Sequence, residues 1–183
     1  PLEITAVEQT GGAVHVRLKN HGGQAIDVRV NGSPHTVAAA GELNASLPVA
    51  GERSLAALPI RVESAGLPAI SRTVWAHRAD APLDAVTKKV GGVSIEAARD
   101  GSEVRLRRGG RLVAALAPLV HAGDELPQLK LTQDVWPLQY AGEGLSVSLS
   151  LTDAGDLTVK ITAGETVEGP VVRSYGALEQ GLL

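Results

Sequence analysis

Leu145-Ser146-Val147-Ser148-Leu149-Ser150-Leu151-Thr152 decides the fold class of this chain. Aliphatic and hydroxyl residues alternate with a strict period of two, which gives a β-strand one apolar and one polar face. A helix would scatter the same aliphatic residues around its circumference. Asp153-Ala154-Gly155-Asp156 follows, with the small polar residues of a tight turn. Leu157, Val159 and Ile161 then alternate with Thr158, Lys160 and Thr162, the second arm of a hairpin.

The same signal recurs in both directions. Val14, Val16 and Leu18 alternate with His15 and Arg17, and Ile26, Val28 and Val30 alternate with Asp27 and Arg29. Asn20-His21-Gly22-Gly23 separates those runs, and Asn31-Gly32 supplies a strong two-residue hairpin signal. Leu58, Ile60 and Val62 form another run, and Gly66-Leu67-Pro68 turns into a strand over 69–77. Past residue 85, Val93, Ile95 and Ala97 lead to Asp100-Gly101, and Val104 and Leu106 lead to Gly109-Gly110. Arg111–Leu116 is apolar on both faces, which suits a central strand. Only residues 38–47 and 175–183 offer any helical pattern. Trp136, Leu138 and Tyr140 share one face if extended, and Pro137 predicts an edge strand or a bulge there.

Composition agrees with thin layered sheets. The 183 residues are 44% hydrophobic, yet Phe, Met and Cys are absent and aromatics make up only 2%. Without Cys there are no disulfides and no thiolate-bound metals, as fits a bacterial extracytoplasmic protein. A net charge of −3 and so few aromatics argue against a nucleic-acid partner. No apolar run approaches the roughly 18 residues of a membrane span. The chain starts at Pro1 and ends on two leucines, as expected of a piece of a longer polypeptide.

Candidate chemistry is sparse. His15, His21, His35, His77 and His121 include no pair at i, i+2 or i, i+4, the spacings that bind a metal from one element. Asp124, Glu125, Asp134, Glu143, Glu165 and Glu168 sit beside Gly or Pro or in turn-like sequence and read as loop acids. Glycosidic hydrolysis would need two of them about 5–10 Å apart across a cleft. Asp153 and Asp156 suit either a calcium ion or a hairpin turn. No nucleophile elbow, P-loop or dinucleotide fingerprint occurs, and no cofactor is expected.

Two clusters remain. Arg105, Arg107, Arg108 and Arg111 crowd one predicted hairpin. They read as an anion site, with Arg105, Arg107 and Arg111 as its contacts, or as a charged face that discourages edge pairing. Trp136 and Tyr140 read as a sugar-stacking platform or as packing residues.

Val90-Gly91-Gly92-Val93-Ser94-Ile95, the hairpin 104–112 and the stretch from Val167-Glu168-Gly169-Pro170 through Gly176-Ala177-Leu178-Glu179-Gln180-Gly181-Leu182 resemble segments of large secreted bacterial multidomain proteins. Those proteins are related to glycoside-hydrolase and carbohydrate-binding β-sandwich proteins. The first half looks like an immunoglobulin-like accessory domain. The resemblance implies an exported setting and transfers no catalytic residue.

The expected architecture is all-β, with two antiparallel β-sandwich domains. An immunoglobulin-like sandwich covers 1–78, a linker 79–84, and a larger or incomplete sandwich 85–183. The expected function is a non-catalytic module of a larger secreted or cell-surface protein, scaffolding and binding glycan. A structural subunit of an extracellular fibre or surface layer is the alternative, and part of a glycoside hydrolase the second. Expected partners are the rest of the parent polypeptide or another chain added as a strand, and polysaccharide.

Overall fold

A computed structural model describes residues 1–10, 12–49 and 53–175, and every regular element among them is a β-strand. The fold is all-β, of β-sandwich type. The chain divides into two compact units, Pro1–Ala81 and Pro82–Leu183.

The first unit contains β1 (Leu2–Thr10), β2 (Ala13–Asn20), β3 (Ile26–Val30), β4 (Ser33–Val37), β5 (Glu42–Pro48), β6 (Leu55–Ser64) and β7 (Leu67–His77). They form the antiparallel sheets β1-β2-β5 and β4-β3-β6-β7. The chain changes sheets from β2 to β3, from β4 to β5 and again from β5 to β6. Period-two alternation places Val14, Val16 and Leu18 of β2 and Ala45 and Leu47 of β5 in one core with Val28, Val30, Ile60 and Val62 of the other sheet. Asn31 and Gly32 take positive φ (48° and 85°), as a two-residue hairpin turn requires. The Asn31 amide donates to the Pro59 carbonyl (2.8 Å) and accepts from the Arg61 amide (2.7 Å), tying that turn to β6.

At the end of β7 a side chain stands in for a strand. Gln9 Nε2 donates to the His77 carbonyl (2.6 Å), and Gln9 Oε1 accepts from the His77 amide (2.9 Å). At the opposite end, Pro1 and Leu2 line a 260 Å³ apolar cleft with Val62, Leu67, Pro68 and Ile70.

The helix expected over 38–47 is replaced by β5. Leu43, Ala45 and Leu47 pair in register with Leu18, Val16 and Val14 of β2, and that ladder outweighs the weak helical pattern. Of the other helical stretch, 175–183, all but Tyr175 lies outside the described residues.

In the second unit the strands are β8 (Ala85–Val90), β9 (Val93–Ala98), β10 (Val104–Arg108), β11 (Arg111–Leu116), β12 (Lys130–Gln133), β13 (Leu138–Gly142), β14 (Leu145–Leu151), β15 (Leu157–Ala163) and β16 (Val172–Ser174). Two antiparallel sheets result, β16-β11-β10-β9-β8 and β12-β13-β14-β15. Ile95, Ala97 and Val104 of the first share a core with Leu138, Tyr140, Leu145, Val147 and Leu149 of the second. Leu119, Val120 and Leu129 join them from the long connection between β11 and β12. β14 buries Leu145, Val147 and Leu149 and turns Ser146 and Ser150 outward. The edge strand or bulge expected at Pro137 is not found. Pro137 precedes β13, an interior strand between β12 and β14, so no ladder donor is lost.

Candidate functional site

The loop between β12 and β13 presents Trp136. Gln133 shapes it by donating from Nε2 to the carbonyls of Val135 (3.1 Å) and Pro137 (2.6 Å). The Trp136–Pro137 peptide is cis. Val135 projects outward at 69% exposure, while the indole of Trp136 packs half-buried against the core margin. Lys88 Nζ lies 5.8 Å from the ring centroid, within cation–π range. Trp136 Nε1 is buried without a hydrogen-bond partner.

Tyr140 does not join Trp136 at the surface. Leu138 and Tyr140 occupy the inner face of an interior strand, and Tyr140 is 1% exposed. Its hydroxyl donates to the Ala98 carbonyl at 3.0 Å, across the sandwich. Burial, reinforced by the nearby Asp100 carboxylate, pushes its pKa up to about 12. The expected stacking platform therefore reduces to Trp136, because an inward-facing ring presents no surface to a sugar.

The arginine hairpin also separates. Arg105 is 1% exposed and grips Glu103 through Nε (3.0 Å) and Nη2 (3.2 Å), a buried bidentate pair. Arg107 meets Glu96 across the β9–β10 ladder at 2.9 Å and reaches the Gly110 carbonyl. Arg108 and Arg111 face each other at the hairpin tip and are exposed. The three arginines read as an anion site thus do not converge, since carboxylates already neutralise two of them. Glu96 is missed because its proximity depends on strand register. Arg173 and Tyr175 are also missed. Arg173 Nε donates to the Ala117 carbonyl (2.7 Å), and burial lowers its pKa. Burial raises that of Tyr175.

Asp124, Glu125, Asp134, Glu143, Glu165 and Glu168 are all exposed. Asp153 and Asp156 belong to a turn in which the Asp156 amide donates to Thr152 Oγ1 (3.0 Å). His121 directs Nδ1 at the Gly123 carbonyl (2.9 Å), with Nε2 3.7 Å from Glu168. Among the described residues, no three His, Asp or Glu side chains gather as metal ligands. In the first unit, Asp27, Arg29, Pro34, His35 and Thr36 line an open concavity of 490 Å³, where Thr36 Oγ1 donates to Asp27 Oδ1 (2.7 Å).

No protein-family model, curated protein or solved structure matches this chain.

Proposed function

We propose that the chain is a non-catalytic β-sandwich module of a larger secreted or cell-surface bacterial protein. It scaffolds neighbouring parts of that protein and contacts glycan through Trp136. The observation that carries the scaffold reading is how buried polar groups are used. Asn20 bridges two loops, Glu103 and Arg105 pair with each other, and the Tyr140 hydroxyl ties the two sheets of its sandwich together. These buried polar side chains are committed to holding strands or loops in place. Trp136 supports the glycan part: it is the one residue of the sequence-expected platform that stays near the surface, on a loop already shaped by Gln133.

Glycan-array binding by the intact chain, lost on Trp136→Ala with the fold retained, is the expected result. Binding unchanged in that variant, or no binding to any polysaccharide, removes the sugar part. Turnover of glycoside substrates by the purified chain removes the non-catalytic part.

The alternative, a subunit that associates with another chain by strand addition, draws support from the uncovered edge of β15. Electron microscopy of the purified chain tests it: ordered polymers support a fibre or surface layer, and discrete particles count against one.

A further inference from the structure

Among the described residues four sheets leave eight edge strands, and seven of them are blunted. β1 carries a bulge between Ile4 and Ala6, and β4 carries Pro34. Arg72 of β7 pairs with the core residue Ile60, so an exposed charge sits on the inward side of that edge. Lys88 of β8 occupies the same kind of position opposite Ile95. β12 is four residues long and bulged, β16 is three residues long, and β5 ends in Pro48 with Ala45 and Leu47 fully covered. Inward charges, prolines, bulges and short length all hinder the pairing of one sheet with another.

β15 has none of these devices, and its one charge, Lys160, lies on the outward face. It runs seven residues with no bulge, no proline and no inward charge. Leu157, Val159 and Ile161 face the core but stay half-buried. The Gly164 amide donates to the Gly144 carbonyl and the Thr152 amide to the Asp156 carbonyl, which fixes the phase of the β14–β15 ladder. Thr158, Lys160 and Thr162 therefore bond to β14, while Leu157, Val159, Ile161 and Ala163 turn their N–H and C=O groups to the open side. Those groups have no partner strand among the described residues.

The sequence of this edge is near-palindromic: Thr158-Val159-Lys160-Ile161-Thr162. We propose that β15 pairs antiparallel with β15 of a second copy of this chain, about a two-fold axis at Lys160. That register sets Val159 against Ile161 of the second copy and Thr158 against its Thr162, both favourable cross-strand pairs. It also uses every outward-turned backbone group from Leu157 to Ala163. Lys160 then faces Lys160 of the second copy, a like-charge pair that weakens the contact. A two-fold contact closes on itself, so this edge alone gives a dimer, and a fibre or layer would need a second, different contact between dimers. The inference rests on association by strand addition and names its edge and occupant.

Sedimentation equilibrium of the full chain at concentrations up to about 1 mM tests this, a range that detects even weak pairing. A monomer–dimer equilibrium is expected, and Lys160→Thr should tighten it by about two- to fivefold. Mixing Lys160→Glu with the unmodified chain should give more heterodimer than either forms alone. Ile161→Pro should abolish the dimer without disturbing β14, because the amide it removes points to the open side. Monomers throughout for both the unmodified chain and Lys160→Thr would overturn the proposal. So would a dimer that persists in folded Ile161→Pro, or a mixture with no preference for heterodimer. Trp136→Ala should leave the dimer unchanged, so failure of the glycan reading and failure of this one are distinguishable.

Discussion

Tyr140 shows how one hydroxyl links two sheets. Removing it with Tyr140→Phe deletes the bond to the Ala98 carbonyl and leaves that acceptor buried. A loss of about 1–2 kcal/mol in denaturant unfolding is expected. The raised pKa adds a pH signature. Above the ordinary value of 10.0 the unfolded tyrosine ionises while the folded one keeps its proton until about 12. The folded state then binds more protons, so this contribution to stability is complete below pH 10 and declines as pH rises toward 12. Stability curves of the parent and Tyr140→Phe should converge over that interval. Asn20 is a second case. It donates to the carbonyls of Gln24 (2.7 Å) and Ala38 (3.0 Å) and accepts from the Gly22 amide (2.8 Å). Asn20→Ala should cost about 2–3 kcal/mol in the same measurement. Neither role is legible in sequence, because each depends on a carbonyl brought close only by the folded chain. The split of the arginine cluster is hidden for the same reason: Arg105 and Arg107 look alike along the strand, and only the ladder sets Glu96 within diagonal reach of Arg107.

At the scale of the element, alternation carries most of the information. β14 has the faces its serines and leucines specify, and β11 lies between two strands, as its two apolar faces require. The pattern fails where the signal is short or competes with another. Residues 38–47 mix alanines with a two-residue alternation, and pairing with β2 decides for strand. β16 is too short to announce itself and is defined by the partner it finds in β11. The edges support a prediction of their own. Arg72→Val replaces the inward charge of β7 with an aliphatic residue between Ile70 and Val74, so self-association should rise measurably in light scattering at neutral pH. In the interior, Leu149→Ala on β14 should cost about 2–5 kcal/mol, because its neighbours on two sheets cannot both close the gap.

Taken as a whole molecule, the chain builds its layers from small aliphatic residues. Its net charge is −3 and its isoelectric point is about 6.0. Turbidity should therefore peak near pH 6, where charge no longer keeps copies apart. Across the two units, paired strands are often far apart in sequence: β2 finds β5, β3 finds β6 and β11 finds β16. Folding should therefore occupy milliseconds to seconds, not microseconds.

The Gln9–His77 clamp has a mechanical consequence. It holds the end of the first strand of the Pro1–Ala81 unit against the end of the last, while Leu2 shares a cleft with Leu67 at the far pole. β1 and β7 therefore run in the same direction, and the unit's two termini leave from opposite poles. Tension applied to those termini would load the β1–β2 and β6–β7 ladders in shear, straining many hydrogen bonds at once instead of peeling them singly. A domain strung in this way resists stretching, and the glutamine amide would be among the first bonds to bear the pull.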